Sequence, residues 1–162
     1  MCGIVGKINF NNTKVNKADI QNMMDSIKHR GPNDEGFFID KHIGFGFVRL
    51  SVIDLSDAGH QPMFDLTQRY MIIYNGEIYN YIEIKDELIN KGYKFNSQTD
   101  TEVILYAYIE WGEECIQKFN GMWSFAIYDK ESKSIFISRD RYGIKPFYYY
   151  LDNNILIFGS EI

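Results

Sequence analysis

Met1-Cys2-Gly3-Ile4-Val5-Gly6, the first six residues, set the reading of the whole chain. Removing the initiator methionine leaves Cys2 at the amino terminus, so one residue carries both a thiol and a free α-amine. A cysteine thiol titrates near ~8.5 and an α-amine near ~7.7–8.0. Much of the amine is then neutral at physiological pH and can take the thiol proton through a water. Such a residue is a nucleophile with its own general base. The plain alternative is a small residue opening a strand, and residues 3–10 do read as one, closed by a turn at Asn11-Asn12.

Working outward, the 162 residues are enough for one domain with a substantial core. At 45% hydrophobic and 24% charged the composition is globular, and twelve Tyr with twelve Phe favour strands. A net charge of −5 without blocks of like charge gives no basic stripe for nucleic acid. No apolar run approaches the ~20 residues of a membrane span. No basic segment followed by an apolar core marks a secretory leader. Cytoplasmic residence is the expectation. Cys2 and Cys115 form no disulfide framework, and Cys115, between Glu114 and Ile116 in a helical stretch, reads as a packing cysteine.

Ile20, Met23, Met24 and Ile27 fall on one face of a helix over about 17–29, stopped by His29-Arg30-Gly31-Pro32. Strands are expected at 36–40 and 43–53. In the second, Ile43, Phe45 and Phe47 share a face opposite Gly44 and Gly46. The same parity puts Arg49 on the bulky face, where a cation needs a partner or a ligand. A turn-rich loop covers 54–68. Tyr70 to Tyr74 reads as a strand ending at Asn75-Gly76. Helices follow at 81–90, from a Thr99-Asp100-Thr101-Glu102 capping box to Trp111, and at 113–119. Strands at 123–129, 134–140, 146–150 and 155–159 suggest an antiparallel meander. Helices mixed with many strands make the class α+β with antiparallel sheet.

A terminal thiol needs a carbonyl to attack and groups to hold its owner. Arg49 suits a substrate α-carboxylate, as a planar fork that binds bidentately. Glu77 and Asp100 suit an α-ammonium. The Asn75 amide and the Gly76 N–H can donate to a developing oxyanion. Each has an ordinary reading as well. Asn-Gly is foremost a hairpin signal. Asp100 is a carboxylate at a helix start. Arg49 can be a partly buried ion pair and Glu77 a surface charge.

The segments Cys2-Gly3-Ile4-Val5-Gly6, His29-Arg30-Gly31-Pro32, Arg49-Leu50-Ser51-Val52-Ile53-Asp54, Asn75-Gly76-Glu77-Ile78-Tyr79-Asn80 and Thr99-Asp100-Thr101-Glu102, in that order, resemble the class II glutamine amidotransferases. Gly59-His60-Gln61-Pro62-Met63 and Arg139-Asp140-Arg141-Tyr142-Gly143-Ile144-Lys145-Pro146 narrow the resemblance to the glutaminase domain of glutamine-hydrolysing asparagine synthetases. It runs from Cys2 to Ser160-Glu161.

The resemblance implies a four-layer αββα sandwich, two antiparallel sheets between helices. It implies hydrolysis of L-glutamine to glutamate and ammonia through a γ-glutamyl thioester on Cys2. Asn75 and Gly76 would form the oxyanion hole. Arg49 would bind the α-carboxylate, and Glu77 with Asp100, beside Thr99, the α-ammonium. Leu50, Ser51, Val52 and Ile53 would line the pocket, and Arg30 and Gly31 would support the nucleophile strand. No metal or cofactor is implied for residues 1–162. ATP and magnesium belong to the family's synthetase domain, the partner that receives ammonia. That domain is missing here: the chain stops at Ile162, about where it would begin, as expected of a domain from a longer enzyme. A homodimer is among the assemblies the resemblance allows. Tyr148-Tyr149-Tyr150 is expected to expose at least one ring, for packing against the synthetase domain.

Other readings stay open. One is a different amidotransferase of the class, with a sugar-phosphate or phosphoribosyl acceptor; the Gly-His-Gln-Pro loop and the short length speak against it. Another is a non-catalytic regulatory domain that binds glutamine or glutamate. A Cys–His pair drawn from His29, His42 or His60 has little support, and a zinc site less.

Overall fold

The computed structural model describes residues 1–51 and 56–162. Among these, nine strands form two sheets. β1 (Gly3–Asn9), β2 (Asp34–Asp40), β3 (Ile43–Arg49), β8 (Tyr148–Leu151) and β9 (Ile155–Gly159) make a five-stranded sheet in the order β2-β3-β1-β9-β8. β4 (Met63–Phe64), β5 (Tyr70–Ile78), β6 (Gly121–Asp129) and β7 (Ser134–Arg139) make a four-stranded sheet in that order. Neighbouring strands pair antiparallel throughout.

Three apolar clusters define four layers. Ile4, Ile8, Phe45, Phe47, Met71, Ile73, Ala126, Tyr128 and Phe158 fill the space between the sheets. Val5, Ile20, Met24, Ile27 and Val48 join the outer face of the first sheet to helix α1 (Lys17–Ser26). Ile72, Tyr74, Phe125 and Ile127 join the outer face of the second sheet to helices α2 (Tyr81–Asn90) and α3 (Asp100–Trp111). This is the αββα sandwich. The period-2 alternation of side chains sends successive residues of each central strand into different layers, so these strands are apolar on both faces.

The parity read in β3 explains its composition. Ile43, Phe45 and Phe47 point at the second sheet, and Gly44 and Gly46 point at α1. A methyl group on Gly44 would lie 2.8 Å from Ile20, and one on Gly46 2.6 Å from Met24, so the glycines set how closely α1 packs. The helix ends at Ser26, earlier than the pattern over 17–29 predicts; Lys28–Arg30 form a 3₁₀ turn instead.

Four other expectations are corrected. β5 does not stop at Tyr74: it runs to Ile78, with Asn75 opposite Ser124 and Gly76 opposite Trp123. Pairing with β6 along nine residues outweighs the local turn preference of Asn-Gly, and neither residue takes a positive φ. The last four strands are not one meander, since β6 and β7 belong to one sheet and β8 and β9 to the other. The segment 113–119 is a 3₁₀ helix over Gly112–Gln117. Thr99 caps α3 by accepting from the Glu102 amide at 3.3 Å, but Glu102 does not complete the box. Its carboxylate instead accepts from the amides of Asn96 and Ser97 and from the Ser97 hydroxyl.

β8 lies at a sheet edge, and all four of its residues are exposed, Tyr149 at 68%. Cys115 is buried in the cluster under α3, where burial pushes its thiol up to about 12, as suits a packing residue.

Candidate active site

The chain's two ends meet at Cys2. β1 is the central strand of its sheet, paired with β3 on one side and β9 on the other. Just before it, the Cys2 carbonyl accepts from Arg30 Nε at 3.0 Å. Arg30 Nη1 donates to Glu161 Oε1 at 2.7 Å, and the Ile4 amide donates to Ser160 Oγ at 3.0 Å. Gly31 packs against β3: a methyl there would lie 2.3 Å from the Val48 carbonyl carbon. Arg30 and Gly31 therefore sit behind the start of β1 and outside the cleft lining. Replacing Gly31 with alanine is expected to destabilise the fold by about 1–3 kcal/mol, the usual cost of overpacking, read as a lower thermal midpoint.

A cleft of about 320 Å³ opens where β1, β3 and β5 face α3. Its lining brings together Cys2, Arg49, Leu50, Asn75, Gly76, Glu77, Thr99 and Asp100. Ser51 is not among the lining residues; its amide donates to Asn33 Oδ1 at 3.0 Å. Val52 and Ile53 lie outside the described residues.

The Cys2 sulfur sits between the backbone groups of Leu50, accepting from its amide at 3.3 Å and donating to its carbonyl at 3.4 Å. Burial raises the thiol above its ordinary value, and the Leu50 hydrogen bond, the amino terminus, Arg49 and Lys145 pull it back. Arg49 is buried at the end of β3, with Nη1 donating to the Ser56 carbonyl at 2.9 Å. Gly59 leaves room for it, since a methyl there would lie 2.1 Å from Nη2. Gln61 ties this loop down: its Oε1 accepts from the Tyr74 amide at 2.6 Å and its Nε2 donates to Thr101.

Asn75 is 2% exposed, and its Nδ2 has no hydrogen-bond partner among the described residues. A buried donor left unpaired costs roughly 1–3 kcal/mol, so it marks a place where a ligand acceptor belongs. Gly76 is fixed by space: a methyl would lie 2.4 Å from the Met122 carbonyl oxygen and 2.5 Å from the Tyr74 ring. The oxyanion candidates thus stand in a paired strand rather than on a loop.

Asp100 Oδ2 accepts from the Tyr74 hydroxyl at 2.7 Å and the Ile78 amide at 3.0 Å. Burial still holds its carboxyl above the usual range, with nearby Glu77 adding to the rise. Glu77 has no ion-pair partner among the described residues. Two carboxylates in one cleft invite a cation.

None of the three histidines lines the cleft. His29 faces Glu161 and His60 faces Asp34, each at the surface. Among the described residues no group of three His, Cys, Asp or Glu side chains could hold a metal. Lys145 also lines the cleft, as do Tyr74 and Met122, none of which the motif reading placed there.

The sequence profile of the family described as "Glutamine amidotransferase domain" matches residues 1–162, the whole chain. The chain belongs to that family. This glutamine amidotransferase domain is 49% identical over its full length to a Methanocaldococcus jannaschii protein named as a candidate glutamine-hydrolyzing asparagine synthetase, covering 34% of it. It is 46% identical over 99% of its length to glutamine-hydrolyzing asparagine synthetase 1 of Bacillus subtilis, covering 26% of that protein. The domain thus spans about a third and about a quarter of the length of these two relatives. In three dimensions it is similar to glutamine phosphoribosylpyrophosphate amidotransferase from B. subtilis in complex with ADP and GMP. The TM-score is 0.80 over 98% of this chain and 42% of the other, at 17% identity, a likeness of fold alone.

Proposed function

We propose that residues 1–162 are the glutaminase domain of a glutamine-hydrolysing asparagine synthetase, acting on L-glutamine through Cys2. The observation that carries this reading is the buried Asn75 Nδ2, without a hydrogen-bond partner among the described residues, in the same cleft as the Cys2 sulfur. In the methionine-free chain the α-amine takes the thiol proton, and the thiolate attacks the side-chain carbonyl carbon of glutamine. The carbonyl π electrons move to oxygen, where Asn75 Nδ2 and the Gly76 N–H stabilise them. The intermediate collapses, the C–N bond breaks, and the protonated amine gives its proton to departing ammonia. Water then cleaves the thioester, releasing glutamate and restoring the thiol. Arg49 holds the α-carboxylate; Glu77 and Asp100 hold the α-ammonium.

The length of the relatives supports a synthetase portion beyond the region they share with this chain. There ATP and magnesium would activate aspartate for the ammonia, and the exposed tyrosines of β8 would face that portion. Among the described residues no helix is long and apolar enough to cross a membrane; a cytoplasmic location is part of the proposal.

The test is ammonia and glutamate release from glutamine by the chain shown by intact mass to lack Met1. Release supports the reading. Glutamine binding without release favours the regulatory alternative, and neither binding nor release sinks both. Arg49→Ala is expected to raise KM for glutamine roughly 10- to 100-fold, the worth of a charged hydrogen-bonded anchor, with a smaller change in kcat.

A further inference from the structure

Lys145 is a buried cation that the mechanism above does not use. It lines the cleft at 6% exposure, unusual for a lysine. Its backbone is fixed on both sides. The Lys145 amide donates to Asp140 Oδ2 at 2.9 Å, and its carbonyl accepts from Arg139 Nε at 2.7 Å. Asp140 also accepts from the amides of Tyr142, Ile144 and Trp123, so the loop after β7 is tied to β6. A loop held this firmly delivers one ammonium to one place. There its sole hydrogen-bond partner among the described residues is a poor one, the Met1 thioether, 3.5 Å from Nζ. Among the described residues no carboxylate lies within ion-pair distance of Nζ.

We propose that Lys145 is a positioning residue for the reaction, the buried cation against which the Cys2 sulfur carries its negative charge once Met1 has gone. The inference rests on Cys2 being the nucleophile. Excising Met1 then does two things: it frees the α-amine, and it removes the thioether that occupies the ammonium. The cation and the sulfur already act on each other electrostatically, each favouring the other's charged form against burial. The other groups in this field are Arg49 from β3, Tyr74 and Glu77 from β5, Asp100 from α3, Arg30, Asp140 and the amino terminus. In the proposed function Arg49, which also donates to the Ser56 carbonyl, holds the far end of the ligand, and Arg30 donates to Glu161 and the Cys2 carbonyl. Lys145 is the cation left to serve the sulfur.

The test is the pH dependence of Cys2 alkylation by iodoacetamide in the methionine-free chain, followed by mass on the peptide that carries Cys2. Alkylation needs no glutamine, so its outcome is independent of whether ammonia is released. Removing a cation disfavours the thiolate. Lys145→Met should therefore move the alkylation midpoint up by about one pH unit or more, slowing the reaction roughly tenfold at neutral pH. Lys145→Arg should restore the midpoint. An unchanged midpoint in Lys145→Met, or an equal shift in Lys145→Arg, overturns the proposal. If Lys145→Met does not fold, the reciprocal measurement decides. In Cys2→Ala, Lys145 loses its anion and should be acylated by an amine reagent at least severalfold faster near neutral pH. An unaltered rate there also overturns the proposal.

Discussion

Ammonia release from glutamine is expected to fall by at least about 10⁴-fold when Cys2 is replaced by alanine in the methionine-free chain, with glutamine still bound. On the proposed reading the substitution deletes the atom that would form the thioester and leaves the proposed ligand anchors, which stand on other elements: Arg49 on β3, Glu77 on β5 and Asp100 on α3. Binding measured by calorimetry should persist while turnover vanishes. Retention of Met1 is expected to give the same loss. In that form the α-amine lies one residue away, donating to the Arg30 carbonyl at 3.1 Å, and Met1 lines the cleft. Parallel loss in both forms, each verified by intact mass, is the signature of an N-terminal nucleophile. Undiminished turnover in either form removes Cys2 from the chemistry.

Asn75→Ala is expected to lower kcat by about 10²–10³-fold, with little change in KM. The argument runs through Nδ2. This donor is buried with no partner among the described residues, so none of their hydrogen bonds competes when the oxyanion forms. A preorganised donor acts fully in the transition state, whereas a ground-state carbonyl draws on it less. The loss should therefore appear in kcat. Because Asn75 faces Ser124 across a continuous ladder, the truncation should leave the fold intact, which circular dichroism can check. An effect on KM alone would move Asn75 from the oxyanion site to ground-state binding.

Much of the architecture was readable where the chemistry of a strand is local. Ile43, Phe45 and Phe47 against Gly44 and Gly46 specify which face of β3 meets a sheet and which a helix. Helix α2 matches its predicted span, 81–90, because Ile84 and Leu88 bury one face of an otherwise polar segment. Local preference failed where distant partners decide. Asn75-Gly76 reads as a turn until β6 pairs with it, and Glu102 reads as half of a capping box until the 96–97 backbone offers better donors. The division of the last four strands between two sheets depends on which sheet has a free edge, which spacing does not encode. In the cleft, Arg49 announced itself as a cation on an apolar face. Lys145 did not, since in sequence it is an ordinary lysine in a Gly-containing loop. Only the burial of its side chain, beside a loop fixed by Asp140 and Arg139, distinguishes it.

The latch at the end of the chain has a mechanical meaning. Ser160 grips the Ile4 backbone through both its amide and its hydroxyl, and Glu161 grips Arg30, which in turn grips Cys2. The residues just after β9 and the backbone that carries the Cys2 sulfur thus hold one another in place, through the core strand at Ile4 and through Arg30.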